Sequence, residues 1–468
     1  MCANSPSIPS CLIVGAGPGG LAPVLAAAYD GCLPQLLAGG VTILERGRSV
    51  GSGGLGRYAI RSDSAAEAFL DIVTRTTEPR LLALQSHPLA ASIAQSKGGA
   101  IPLAQAGEFL SLIGEAICEV VEASPGGTVL RQHTALFTQR LARGLWSTRV
   151  RCESNGEERS LLSRSVILAT GARQPESRLR TEEVAGKPLL PLYGDKLLQT
   201  GEVFTPAGMD RLRARLAGVA NPRVVVVGGS TSAGAAARLL LHQMPEFTFG
   251  AGAVTMMHRA PLRIFYPTAA EALAEGYNDF GPRDICPVSG RVYRLAGFRL
   301  DTREMIMGAL GVGGRPFDPR LRLHHLTKAS WLTARRLLDE ADVIIAGLGY
   351  RPHALPVVSE EGHRVPLMAE SDRMLPMVDA ECRILDAQGT PLDGIYGIGL
   401  ASGFVPHGSL GGEESFKGQA NSLWLWQHDL GLKIVRSVLA AAETASASDT
   451  PVPEVPIPSV QDELAGIA

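Results

Sequence analysis

Short apolar runs recur along this chain, and the prominent ones end in clusters of small residues. Leu12-Ile13-Val14 leads into Gly15-Ala16-Gly17-Pro18-Gly19-Gly20, and an Ala/Leu-rich stretch follows to Ala28. This order predicts strand, tight turn and helix. Residues 41–44 predict a second strand, closing on Glu45-Arg46. Helical spacing over 103–121 predicts an amphipathic helix, with strands around Val129, over 135–137 and over 148–152. Strand followed by small residues then returns three times. Val166-Ile167-Leu168 precedes Ala169-Thr170-Gly171-Ala172, and Val224 to Val227 precede Gly228-Gly229-Ser230-Thr231-Ser232-Ala233-Gly234 with a helical AAARLLLHQM behind. Val343-Ile344-Ile345-Ala346 precedes Gly347-Leu348-Gly349-Tyr350-Arg351-Pro352. Residues 394–401 predict a last strand, ahead of a glycine loop at 408–412 and a helix over 414–435. Beyond Ala440 the Ala/Ser/Pro-rich composition predicts a tail that is disordered or lies on the surface.

The two strand–turn–helix units carry the chemistry. In the first, Gly15 permits the tight bend, Gly17 lets a diphosphate approach the backbone, and Gly20 lets helix and strand pack closely. Pro18 and Gly19 complete the turn, and the helix start aims its N–H groups at the anion. Glu45, at the end of the next strand, is placed to accept hydrogen bonds from ribose hydroxyls, with Arg46 beside it. The glycine-rich segment 51–58, which includes Gly54 and Leu55, is a second candidate contact loop, with Arg57 and Ser62 as weaker candidates. In the second unit Ser230 and Ala233 stand where glycines would, and the hydroxyls of Ser230, Thr231 and Ser232 suit phosphate. The strand over 253–257 ends at His258-Arg259, with Arg263 near, where the first unit has an acid. Cations suit the 2′-phosphate of NADPH, whereas Glu suits a free 2′-hydroxyl, so the two sites are expected to hold different dinucleotides.

The fold class expected is α/β: two Rossmann-like dinucleotide-binding domains, the second inserted into the first. The first domain, which the resemblance given below makes the FAD-binding one, is expected over 1–174 and 351–440, and the NADPH-binding domain over 175–350. The latter contains an irregular aromatic- and arginine-rich segment, 264–330, and a tail occupies 441–468. Prolines 175, 188, 191, 206 and 222 mark the crossing between domains. The late helix start is positioned to stabilise negative charge on a flavin ring, with Gly399, Ser415, Gln419 and Asn421 close to it in sequence; Trp424 and Trp426 are expected in the core.

With 468 residues, of which 45% are apolar, the chain has ample material for two large cores. A net charge of −2 excludes a nucleic-acid or anionic-membrane partner that depends on a basic field. No apolar stretch approaches a membrane span. Seven scattered cysteines without a CxxC pair fit a reducing cytoplasm and exclude the disulfide-reductase variant of this plan. No metal site is expected: His324-His325 would point to opposite faces of a strand, with no third ligand spaced near them.

Taken together, the motifs resemble the two-dinucleotide-binding-domain flavoproteins, and most closely the class B monooxygenases: flavin-containing monooxygenases, Baeyer–Villiger enzymes and amino-acid N-hydroxylases. The likeness spans residues 8–440. By this resemblance Gly15, Gly17, Gly20 and Glu45 are the FAD fingerprint, and Ala169-Thr170-Gly171 is the strand joining the domains. GGSTSA at Gly228 to Ala233 is similar to the NADPH turn, and Gly347 to Tyr350 to the return strand. LYGDKLLQTGEV echoes the family's FxGxxxH fingerprint only faintly, with Gln199-Thr200 near the expected His-Ser, and Gly397-Ile398-Gly399 lacks an acid that many flavoproteins place there. The resemblance implies that NADPH reduces FAD, that O2 adds at flavin C4a, and that oxygen reaches an amine nitrogen, a sulfur or a ketone of a small molecule. Gln199, Thr200, Arg351 and His407 are the candidate residues lining that site. The alternative is an FAD-dependent NAD(P)H oxidoreductase that passes electrons to a small acceptor or a partner protein. Neither reading needs a nucleic acid or a membrane, and both leave room for a homo-oligomer.

Overall fold

The computed structural model describes residues 8–371, 376–400 and 402–446. β1 (Cys11–Val14) is buried throughout and lies parallel between β2 (Val41–Glu45) and β7 (Ser165–Leu168); β3 (Thr128–Arg131) follows β2. Four apolar side chains shut from water at the centre of a sheet contribute about 1.5–3 kcal/mol each. Between β3 and β7 an antiparallel insertion, β4 (His133–Arg140), β5 (Trp146–Cys152) and β6 (Glu158–Ser163), forms a separate sheet.

β8 (Ala172–Arg173) leaves the first sheet, and a short antiparallel pair, β9 (Glu183–Val184) and β10 (Lys187–Pro188), precedes a second parallel sheet. That sheet contains β11 (Leu197–Gln199), β12 (Val224–Val227), β13 (Val254–His258), β14 (Leu321–His325) and β15 (Val343–Ala346), in the spatial order 11-15-12-13-14. β16 (Arg351–Pro352) pairs antiparallel with β8, so the chain enters and leaves the second unit along one ribbon. β17 (Val357–Val358) and β18 (Arg364–Val365) extend the insertion sheet. β19 (Arg383–Leu385) and β20 (Pro391–Gly397) complete the first sheet in the order 19-20-7-1-2-3. Each parallel sheet has its own core, with helices laid against it.

Three expectations are corrected. The helix expected over 414–435 starts at Leu423, because 404–422 is an irregular loop, with a 3₁₀ turn at Gly408–Leu410, whose 410–415 stretch is bonded to the second unit; the helical run then continues to Ser446, past the expected domain end, through a π turn at Trp426–Leu430. The segment 264–330 is less irregular than its turn signals suggested, since it holds a helix at Leu300–Leu310 as well as β14. Trp426 is buried as expected, but Trp424 is 41% exposed, because the late helix start turns it outward. The tail expected over 441–468 lies outside the described residues from 447 onward.

Candidate active site

The first turn is built by mutual close approach of backbones. Gly15 has φ +99, and a Cβ there would meet Ala169 O at 2.5 Å; one at Gly20 would meet Gly15 O at 1.7 Å. A Cβ on Gly17 would sit 3.3 Å from Gly53 Cα, and one on Gly19 would sit 2.6 Å from Gly399 Cα. The end of β7, the 51–54 loop and the loop after β20 therefore converge on one helix start. The helix Pro18–Asp30 begins at an extended Gly17 with no side-chain cap, so the first-turn N–H groups are left for an anion. Glu45 Oε2 accepts from Ala16 N at 2.9 Å and Oε1 from Gly47 N at 2.7 Å. These bonds aim the carboxylate and leave lone pairs for ribose hydroxyls. Arg46 follows Glu45 and is exposed. The uncapped helix start, the glycine cradle and the aimed carboxylate fit the adenine-dinucleotide half of FAD.

The 51–58 segment presses on the helix Leu103–Glu122 through Gly107 and Gly114, and Gly54 and Leu55 open its short 3₁₀ turn. Gly53, not Gly54, makes the close approach to the turn. The doublet in GSGG was the only local signal for it. Ala169, Thr170 and Gly171 lie at the start of the ribbon, where Thr170 Oγ1 donates to His353 O at 2.6 Å.

The second turn is looser. Gly228 has φ +147, and its Cβ would sit 2.8 Å from Gly347 O; Ala233 is fully buried beneath it. Ser230 caps the helix Thr231–Gln243 with an extended backbone but makes no side-chain cap bond, which leaves its hydroxyl and that of Ser232 suited to phosphate. Thr231 Oγ1 donates to Asp63 Oδ2 of the first unit at 3.3 Å. Burial raises the Asp63 carboxyl to about 7, against the pull of Arg299 and the Thr231 hydrogen bond. Arg259 donates to Glu182 Oε1 at 2.8 Å and to Glu183 O, and Arg263 lies over the Tyr293 ring. His258 stacks on His325 at 5.1 Å between centroids, closing the end of β13. These serine hydroxyls, with arginines beyond β13, fit a phosphorylated nicotinamide dinucleotide.

Gln199 ends β11, and Thr200 is buried behind it, accepting from Gln174 Nε2 at 2.8 Å while Gly201 N donates back to Gln174 Oε1 at 2.7 Å. Arg351 is buried on the ribbon, and its Nη1 donates to Tyr350 O. His407 is exposed on the 404–422 loop, tilted against Phe404. Ser415 N, on the same loop, donates to Arg283 O. Gly399 closes on the first turn, as described. Gln174, Asp63 and Glu413 carry no mark in their local sequence, so the sequence alone does not single them out. Among the described residues no His/Cys/Asp/Glu group is arranged to hold a metal, and no helix is long and apolar enough to cross a membrane.

No family model matches the chain. The chain is 30% identical over 461 residues to CMP-5′-(3-aminopropyl)phosphonate hydroxylase of Streptomyces rubellomurinus, covering 92% of this chain and 98% of that protein. The chain belongs to the class B flavin-dependent monooxygenases. The fold agrees with solved structures. Ornithine hydroxylase of Pseudomonas aeruginosa matches at TM-score 0.53 and 15% identity, covering 93% of this chain and 99% of that one. FAD-bound cadaverine monooxygenase of Erwinia amylovora matches at TM-score 0.53 and 14% identity, covering 94% and 95%. Ornithine N-hydroxylase of Kutzneria sp. 744 matches at TM-score 0.51 and 15% identity, covering 92% and 99%. This monooxygenase uses FAD and NADPH to oxygenate a small molecule.

Proposed function

We propose that this monooxygenase N-hydroxylates a primary amine at the end of a short alkyl chain, carried on a phosphonate that is joined to a nucleotide. The carrying observation is the end-to-end likeness to a hydroxylase named for such a compound. The reaction balances as R–NH2 + O2 + NADPH + H⁺ → R–NHOH + NADP⁺ + H2O. When bound, FAD supplies the redox chemistry that joins NADPH to O2.

The chain's part is to bind, orient and exclude water. In this reading residues 1–174 and 351–440 hold FAD and 175–350 hold NADPH. The turn Gly15–Gly20 takes the FAD diphosphate and Glu45 its ribose, while Ser230, Thr231 and Ser232 take the NADPH diphosphate and Arg259 with Arg263 its 2′-phosphate. Thr200 and Gln199 line the passage from the ribbon, and a buried wall around Thr200 and Arg351 keeps water out. An anionic nucleotide conjugate also suits the segment that packs beside the second turn, where Arg291, Arg294 and Arg299 alternate with Tyr293 and Phe298. Free cysteines throughout the described residues suit a reducing cytoplasm.

The test is to offer CMP-5′-(3-aminopropyl)phosphonate, free 3-aminopropylphosphonate, ornithine and lysine with NADPH under air and under argon. A mass gain of one oxygen at the amine of the nucleotide conjugate, lost under argon, is expected. Equal turnover of the free amino acids would overturn the substrate class.

A further inference from the structure

The loop 404–422 stands on the first unit. Phe404 and Ala420 are buried in its core, and Ala420 N donates to Phe404 O at 3.0 Å. The tip of the loop, however, is bonded to the second unit. Glu413 is only 3% exposed, yet its carboxylate is satisfied by backbone from far along the chain. Leu295 N reaches both oxygens at 3.0 Å and Ala296 N reaches Oε1 at 2.8 Å. Around it Arg294 Nη1 donates to Leu410 O at 2.7 Å and Ser415 N donates to Arg283 O at 2.9 Å. Gly412 N donates to Cys286 Sγ at 3.2 Å. Leu295 itself packs against the core of the first unit.

A buried carboxylate is expensive unless its lone pairs are filled. Here the filling comes from N–H groups across the domain boundary, so the boundary cannot open without giving up these charge-assisted bonds. We propose that Glu413 is a positioning residue: it clasps the 283–296 stretch of the second domain onto the flavin-side loop and so holds the closed arrangement that keeps water from the reacting centre. The inference rests on family membership and the fold, not on the substrate proposed above.

Cys286 reports on the clasp. It is wholly buried beneath the loop tip. Burial raises its thiol pKa, but hydrogen bonds from Ser289, Gly412 N and Arg294 outweigh this and bring it to about 6. Uncovering it removes the Gly412 N and Arg294 bonds that lower its pKa, so it then reacts as an ordinary solvent-exposed thiol, labelled at about pH 8.5. Glu413→Gln keeps the shape of the side chain but turns an NH2 toward a backbone donor, and Arg294→Ala removes a second tie from the opposite side.

In the FAD-loaded protein, both variants are expected to raise iodoacetamide labelling of Cys286 by about tenfold or more, the factor associated with losing a hydrogen bond to a charged group. Buried Cys11, Cys118 and Cys382 serve as controls and stay unlabelled. Amide exchange at 295–296 is expected to rise in step. With no amine present, the variants are also expected to oxidise NADPH and release hydrogen peroxide faster than the unaltered protein, one peroxide per NADPH in both. The proposal is overturned by unchanged Cys286 labelling, by labelling that rises equally at the control cysteines, or by opened Cys286 without faster peroxide release.

Discussion

The two nucleotide turns have one design and opposite tolerances. In the first, Gly15, Gly17 and Gly19 each face backbone of another part of the chain, Gly20 faces Gly15 O within the turn, and Glu45 is tied on both oxygens. In the second, Ser230 and Ala233 carry side chains, and Arg259 is already engaged by Glu182 and Glu183. A turn whose every position is filled by protein backbone suits a resident cofactor. One with idle hydroxyls and re-pairable arginines suits a cofactor that enters and leaves with each cycle.

Five substitutions test that contrast, taken from the largest expected effect to the smallest. Gly20→Ala drives a methyl into Gly15 O, so it is expected to cost about 3 kcal/mol or more and to yield protein without FAD, read from the flavin spectrum after purification. In the second turn the counterpart of Gly20 is already Ala233, and Ser230→Ala there is expected to leave flavin content intact. Glu45→Ala removes two aimed hydrogen bonds and the ribose acceptor. FAD affinity should fall about 10–100-fold, measured by titrating the apoprotein, while NADP⁺ binding by the same protein holds.

Asp63→Asn sharpens the comparison through pH. Burial raises the Asp63 carboxyl, so the folded state holds a proton that the unfolded chain has released, and stability falls as pH rises from about 4 to about 7. Above that the anion, faced by Arg299 and Thr231, sits at the helix start intended for the NADPH diphosphate. NADP⁺ affinity is therefore expected to drop about fivefold between pH 6 and 8, within the range of charge effects at a helix terminus. The Asn variant should flatten both curves in denaturation and binding titrations. Arg259→Ala, already half committed to Glu182, is expected to raise the KM for NADPH only about threefold and to leave the KM for NADH unchanged. A larger NADH effect would sink the 2′-phosphate role.

The alternation of strands and glycine turns, with Glu45 at one strand end and arginine at the other, made both sheets and their cofactors legible, because each depends on residues close in sequence. The same logic fails at 404–422. Its apolar pattern favours helix from 414, but bonds with Arg283, Arg294, Leu295 and Ala296 tie residues 410–415 to the second unit, and the helix starts only at Leu423. The Gly17–Gly53 and Gly19–Gly399 contacts were equally invisible, since a glycine shows that something comes near without saying what.

By itself, then, the amino-acid order determined two strand–turn–helix units, their different anion chemistries and the absence of a thiol pair beside the flavin. Local sterics and hydrogen bonding decide all three. Only the tertiary structure decided that Asp63 reaches the second turn, that Thr200 is walled in and that Glu413 holds the domains together. The Asp63 and Glu413 contacts join residues more than a hundred positions apart, and their energy exists only once both sheets have formed and been brought together.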